Sequence, residues 1–598
     1  MSSKERKIPV HVITEVVGKW RKTYRWIPIF GAIVTFAMAF CTGANNVPVP
    51  FSTLVGSGAL TLIQATLAAS VIYVPGTAFA SNSTLDALFS DFLKEKQPNE
   101  GFLMWSLVAV LITATIWLAL ATYFELPVSS QQSTQGALLG TVLVTEGISS
   151  LPTWNKNKNH NFNGGGLLWI FLEWTMAPII ACVGTFCFFA LLKIFILRHD
   201  NAEKRALLFA PICYGASTGL LCLFFMYQVI PLKVTIKKWE TAVAVTLATL
   251  MGVLLSLLVL LYMARKRFDS QGKPHNNGDN KSSELGLIES TRDEESNINS
   301  KNEDEKFEDA LKEFMQLRVL DTVYEEDERS WASPNTDIVS DPVPESSQVV
   351  LGQPTRFKQL LESTPNRLVQ RKPLIKMENT TSKEKLSEFF KDLEKFSFYP
   401  LVEYDRHTLV RHALAEKFDE TEKLFGFPQL LASCILAFIQ SSTEIAAVVS
   451  PLGAIIDIFN HRARYSGNGE DAVSIHVNWW IRGIGGIAAS IGFFVWGWKL
   501  TQSLGGKLTY MSNSRGLVSQ LCTVATVIMM TRLNLPVSTS HAFVGSLLGI
   551  GIADDPWNVN WKLFIKFLFG WVFTILFCSG VAYGIYSFTI FSPGYVVP

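Results

Sequence analysis

The chain has 598 residues, 48% of them hydrophobic and 17% charged, with a mean hydropathy of +0.25. A soluble domain carries about 25% charged residues, and uniformly apolar stretches this numerous exceed what one-faced soluble helices can bury. The formal net charge of +1 gives no electrostatic case for a nucleic-acid partner, and none is expected.

In chain order, a polar, basic leader (residues 1–25) shows no short apolar core ending in small residues, so a cleaved signal peptide is not expected. The first half, residues 26–264, holds the apolar segments Trp26–Asn45, Ala59–Ala80, Gly101–Phe124, Gly166–Leu197, Leu207–Val229 and Thr241–Met263. Several reach the roughly 20 residues that a helix needs to cross a bilayer. Residues 265–425 form a polar linker whose first part, Asp269–Glu305, is nearly free of apolar residues and has the composition of a disordered segment. Within it Phe307–Arg318 and Glu384–Phe396 show the apolar spacing of short amphipathic helices. Apolar segments resume over residues 426–598. All eight cysteines lie in or beside apolar segments and read as small core residues, not as a metal site or disulfide frame.

The two apolar halves repeat. Leu126–Gly140 aligns with Leu535–Gly549 at eight identical positions of fifteen, and Phe40–Gly56 resembles Phe438–Pro451 more faintly. Duplication with Gly, Pro and Ser interrupting apolar segments is the sequence mark of a secondary transporter. The expected fold is therefore an all-α polytopic membrane protein of roughly ten to twelve segments. Its two homologous repeats are expected to be inverted and to contain broken helices or hairpins.

Within the first copy, Gly43-Ala-Asn-Asn46 runs into Pro48 and Pro50, which a continuous helix does not accommodate. Unwound backbone at membrane depth lines a wet cavity or is buried in protein, and a helix restarting there suits an oxyanion. A simple proline kink accounts for the same residues equally well. Pro127-Val-Ser129-Ser130 and Pro536-Val-Ser538-Thr539-Ser540 place hydroxyls at a helix start in each copy. Such hydroxyls cap helices, but finding them at the same place in both repeats favours a shared central site. The carboxylates inside apolar territory are Glu125, Glu173 and Glu444, with Glu146 and Asp457 nearer segment ends; a carboxylate there is a functional candidate by default. Arg482, at the head of a glycine-rich run, either attracts an anion or snorkels. His541 reads first as a packing residue, with titration near neutrality as the functional alternative.

These residues also carry a family resemblance. Gly43-Ala-Asn-Asn46 followed by Val55–Ala65 resembles the first signature of the PiT (PHO4-type) inorganic phosphate transporters. Leu535–Gly545 is similar to that family's second-half motif, and Phe494–Thr509 with Ser514-Arg-Gly516 also fits. The resemblance implies that the motif-one copies supply phosphate and sodium ligands. Here Asn45 matches the signature, but Asn46 stands at its Asp and Val49 at its later Asn. In the second copy Thr443, Glu444 and Ala447 stand where the family has Asn, Asp and Asn. Two further acidic family positions fall at Tyr73 and Gln520. Most of the carboxylates that would hold a cation are thus neutral.

The resulting expectation is alternating-access transport of inorganic phosphate, coupled to Na+ or H+. Asn45, Asn46, Ser129, Ser130, Thr443, Ser538, Thr539 and Ser540 are the expected substrate ligands and Glu444 the coupling residue. No metal or cofactor beyond the coupling ion is expected. The expected partners are phosphate, Na+ or H+ and the lipid bilayer, with a homodimer as the candidate assembly and the plasma membrane as the preferred location. Two rivals remain: a non-transporting phosphate sensor or scaffold acting through the linker, and a membrane enzyme. The apolar halves show no nucleophile motif, His–Asp pair or clustered metal ligands for the latter. Orientation is open: Asn82-Ser-Thr is a glycosylation sequon if its loop lies outside, and Asn379-Thr-Thr is unused if the linker is cytosolic.

Overall fold

The computed structural model describes residues 19–78, 100–147, 167–229, 237–271, 406–460, 477–533 and 537–590. Both sequons, Pro536 and the two amphipathic stretches of the linker lie outside the described residues. Within them the fold is helical, without strands. The first half contains α1 (Trp26–Asn46), α2 (Pro48–Gly56), α3 (Leu62–Ala78), α4 (Glu100–Tyr123), α5 (Ser130–Glu146), α6 (Leu167–Leu192), α7 (Ala202–Phe224) and α8 (Lys238–Gln271). The last part of the linker holds α9 (Arg406–Leu414) and the start of α10 (Asp419–Gln440), and the second half continues with α11 (Ala446–Asn460), α12 (Trp479–Trp496), α13 (Trp498–Gln502), α14 (Asn513–Arg532), α15 (Thr539–Asp554) and α16 (Trp561–Ile590).

Eight helical stretches among the described residues are long and apolar enough to cross a membrane. Large side chains on their outer faces lie bare, among them Ile33, Leu208, Met251, Leu576 and Phe588, each more than 60% exposed. In water so much exposed apolar surface would drive aggregation; in lipid it is the ordinary outer face. Two of the eight stretches, Lys19–Gly56 and Thr421–Asn460, run to 38 and 40 residues, because each joins the two helices of a motif-one copy. The more polar α14 and α15 are buried along much of their length against other helices, so enclosure in protein replaces an apolar outer face.

The two motif-one breaks differ from the unwound backbone anticipated at Pro48 and Pro50. Val47 keeps helical dihedrals (φ −62°, ψ −28°) and its N–H donates to the Gly43 carbonyl at 3.3 Å. Proline fits the first turn of a new helix, so α2 restarts at Pro48 with helical dihedrals carried through Val47. The missing N–H groups of Pro48 and Pro50 leave the Ala44 and Asn46 carbonyls without their usual partners four residues on. In the second half the break is a π-helical turn, Ser441–Ile445. Such a turn admits an extra residue into the helix and is frequent at functional sites.

Helix directions follow from cross-helix contacts. On α4 and α16, Trp105 donates to Thr589, Trp117 to Thr574, and Lys566 to the Phe124 carbonyl, so the pair is antiparallel. Helix α5 lies parallel to α16, with Gly136 against Ile575 and Cys578 and Gly140 against Ser579. Helix α15 lies parallel to α6, with Gly545 against Pro178 and Gly549 against Cys182. These glycines occupy matching positions of the repeat, and at Gly140, Gly545 and Gly549 a Cβ would overlap a backbone carbonyl of the neighbour. Small residues four apart permit this backbone approach.

At the far end of α15, Asp554 pairs with Arg515 at 2.8 Å and Lys193 at 3.0 Å, and Lys193 also pairs with Glu416 at 2.9 Å. Gly215 and Gly219 set α7 antiparallel to α8 by facing Val253 and Thr249. Gln271, near the start of the linker, and Glu416, near its end, thus lie at the same end as Lys193, while Glu100 lies at the opposite end.

Candidate functional site

The segment Phe124–Ser129 between α4 and α5 is held residue by residue. Lys566 donates to the Phe124 carbonyl at 2.7 Å, Asn45 to the Leu126 carbonyl at 2.9 Å, and Trp571 to the Pro127 carbonyl at 2.8 Å. The Val128 N–H donates to Asn45 Oδ1 at 3.0 Å. Glu125, in the left-handed region at φ 57°, accepts from Ser503 and from Lys507 at 2.9 Å. Burial raises the Glu125 carboxyl, but those hydrogen bonds, with the charges of Lys507 and Lys566, outweigh it and hold it below the usual carboxylate range.

This clamped segment delivers Ser129 as the N-cap of α5, its hydroxyl accepting from the Gln132 N–H. Ser538 caps α15 in the same way, accepting from the His541 N–H. The α5 and α15 starts meet at one carboxylate. Glu444, 1% exposed on the π turn, accepts from Ser130 Oγ at 2.6 Å, Thr539 Oγ1 at 3.2 Å and Ser129 Oγ at 3.3 Å. It also accepts from Asn46 Nδ2 at 3.2 Å and, at 3.4 Å, from the Gln131 N–H in the first turn of α5. Five donors from three elements thus surround one anion at a helix start, the arrangement that backbone N–H groups and the helix dipole favour.

Of the nine residues singled out, the structure brings Asn46, Ser129, Ser130, Thr539 and Glu444 into direct contact around this point. Ser538 caps the adjoining helix, and Ser540 is 1% exposed with no partner for its hydroxyl. Asn45 is turned away, onto Leu126, Val128 and Thr122 Oγ1. Thr443 donates back to the Ile439 carbonyl at 3.1 Å, within its own helix turn. Glu125 is engaged with Lys507 beside the site, and Arg482 is buried on α12. The two neutral residues at acidic family positions reach across to the other half: Tyr73 donates to Gln440 at 2.9 Å, and Gln520 donates to the Pro50 carbonyl at 3.0 Å and to Thr53 at 2.9 Å.

Gln132 escaped the sequence reading, and so did its pairing with His541, which reads there first as a packing residue. Gln132 and His541 occupy the same repeat position, in the first turns of α5 and α15. Both are fully buried, and no side-chain N or O atom of either has a hydrogen-bond partner. The His541 ring packs edge-on against Trp571, centroids 4.2 Å apart. The repeat alignment carried the signal, since it set one polar residue against another at a position that both helices bury. Unpartnered buried polar groups in a native structure call for an explanation, and a polar ligand supplies one.

Enclosed hydroxyls and amides converging on a carboxylate amid membrane-length helices define the class: a multi-pass membrane protein with a polar cluster inside its helical bundle. Comparison with known proteins is consistent with that class and narrows it. The model of the phosphate transporter family (PHO4) matches residues 42–582, and the chain belongs to that family, whose members are transporters and not enzymes. The chain is 24% identical to the phosphate-repressible phosphate permease of Neurospora crassa, over 92% of this chain and 95% of that one. It is 23% identical to sodium-dependent phosphate transporter 1 of Mus musculus, over 92% of this chain and 93% of that one. A solved structure described as the sodium-dependent phosphate transporter shares the fold at a TM-score of 0.57 and 18% identity, covering 95% of this chain and 99% of that one.

Proposed function

We propose that the protein carries inorganic phosphate across the plasma membrane by alternating access, coupled to the entry of Na+ or H+. The observation that carries this reading is the convergence of the α5 and α15 starts on Glu444 inside the helical bundle. Asn46, Ser129, Ser130, Thr539 and Ser540 are the proposed oxyanion ligands, with Gln132 and His541 as further polar neighbours. Asn45 and Ser538 support them by fixing the two helix starts. Glu444 is the proposed coupling residue. Sodium is favoured by the names of the mouse relative and of a Plasmodium falciparum relative, both called sodium-dependent; a proton suits a chain in which several family carboxylates are neutral.

Inverted repeats over residues 26–264 and 426–598 are part of the same proposal. Their support is that α5 and α15 start side by side and run toward opposite ends of the bundle. A rocking motion of one half against the other would then open the site alternately to the two sides.

The test is uptake of radiolabelled phosphate into proteoliposomes, with sodium and proton gradients imposed separately. Uptake driven by one gradient supports transport and names the ion. Absence of uptake above empty vesicles, with the protein shown to be folded, would overturn the transport reading in favour of a phosphate sensor.

A further inference from the structure

Five donors at the centre of the site are engaged by the protein's own carboxylate, while the side chains of Ser540, Gln132 and His541 beside them have no hydrogen-bond partner among the described residues. Ser129, Ser130, Thr539, the Asn46 amide and the Gln131 N–H all point at the two oxygens of Glu444. Those are the same groups that a phosphate oxygen would use. We infer that Glu444 is a tethered internal anion that occupies the oxyanion seat, and that its charge excludes phosphate until a cation joins it. This rests on the phosphate-site reading above and goes beyond it, because it gives the coupling residue a second role as competitor.

The strength of the exclusion follows from distance and burial. Two unit charges about 4 Å apart repel by about 4 kcal/mol at an effective dielectric of 20, which is on the order of a thousandfold in affinity. Among the described residues, lysine and arginine are absent from the direct partners of Glu444. The titratable and charged side chains on the elements packed against its π turn include Tyr73 on α3, whose hydroxyl donates to Gln440, Glu422 and Lys423 on α10, Asp457 on α11 and the buried Arg482 on α12, with His541 on α15 beyond Thr539. With neutral donors only, the seat satisfies one anion at a time. A sodium ion or a proton at Glu444 removes the net charge and leaves the seat free to accept phosphate. Phosphate without the cation, or the reverse, then binds poorly, and that conditional binding is what couples two fluxes.

The inference is tested by equilibrium binding of radiolabelled phosphate to the purified full chain at alkaline pH, with choline or sodium as the only cation. Wild type is expected to bind at least a hundredfold more weakly in choline than Glu444→Gln, which keeps the size of the side chain and removes its charge. The double variant Glu444→Gln with Ser130→Ala is expected to lose that gain, tying the gain to this seat. Equal or weaker binding by Glu444→Gln in choline, while wild type binds in sodium or at lower pH, would overturn the competitor role and leave the phosphate site standing. Failure of both proteins to bind under any cation condition would instead overturn the phosphate site itself. Should Glu444→Gln not fold, wild type alone decides. Phosphate is expected to raise its thermal midpoint only with sodium or at lower pH, and an equal rise in alkaline choline buffer would overturn the inference.

Discussion

Asn45 and Asn46 are neighbours in sequence, yet one clamps the Leu126–Val128 backbone and the other faces Glu444. Successive helical residues stand about 100° apart around the axis, so a motif that names both does not say which faces the site. Replacing Asn45 by Ala should leave the Leu126 carbonyl and Val128 N–H buried without partners, at about 1–3 kcal/mol for each unsatisfied group. The expected outcome is a lowered thermal midpoint in detergent together with reduced phosphate uptake; an unchanged midpoint would contradict the clamp. Glu444 was legible as the one acid at a signature position inside apolar territory. Its partners became visible only once the halves were folded together, because Ser130 and Glu444 are 314 residues apart in sequence.

At the scale of elements, the helices themselves were plain from apolar length, while the manner in which they break was not. Two prolines read as a stop, but their fixed φ also suits the start of the next helix, and the chain takes that course at Val47–Pro48. The π turn at Ser441–Ile445 has no such marker, since it depends on how one extra residue is accommodated. The repeated glycines were visible as identities between the halves, and packing gives their reason. Gly140→Ala and Gly549→Ala each drive a Cβ into a carbonyl of the partner helix and should destabilise by about 2–4 kcal/mol. Gly184→Ala on α6 meets nothing within 4 Å and gains helix propensity worth about 1 kcal/mol. Thermal melts of the three variants check this: a loss for Gly184→Ala as large as for Gly140→Ala would refute the close-approach explanation.

For the whole molecule, the linker-side end is fastened by ions. Arg515 is fully buried, paired with Asp554 and stacked 5.0 Å over the Tyr510 ring. Lys193 bridges Asp554 to Glu416, just ahead of α10, and Arg198 forms a two-point pair with Glu416. Burial raises the Glu416 carboxyl, but hydrogen bonds and charges from Arg198 and Lys193 outweigh it and hold it at about 2. A depressed carboxylate contributes stability that is fully present above its unfolded value of about 4.3 and is lost as pH falls toward the folded value. Melting midpoints of wild type and Glu416→Gln should therefore converge between about pH 4.3 and about 2. Parallel curves across that window would show that the pair contributes nothing.

Sidedness can be tested at the same scale. The expectation that the linker is cytosolic and the Asn82 sequon external requires their flanking residues to lie at opposite ends, and Gln271 and Glu100 do. Glycosidase treatment should shift the mobility of wild type but not of Asn82→Gln, and protease outside sealed cells should spare the linker. Cleavage of the linker from outside would reverse this orientation.

That one oxyanion is held jointly by the starts of α5 and α15 is tested most directly by a double-mutant cycle on phosphate affinity, using Ser130→Ala, Thr539→Ala and the pair. Groups acting on one ligand should couple by about 0.5–3 kcal/mol, so the combined loss should depart from the sum of the single losses. Independent, additive losses, or single variants with unchanged affinity, would contradict a shared site.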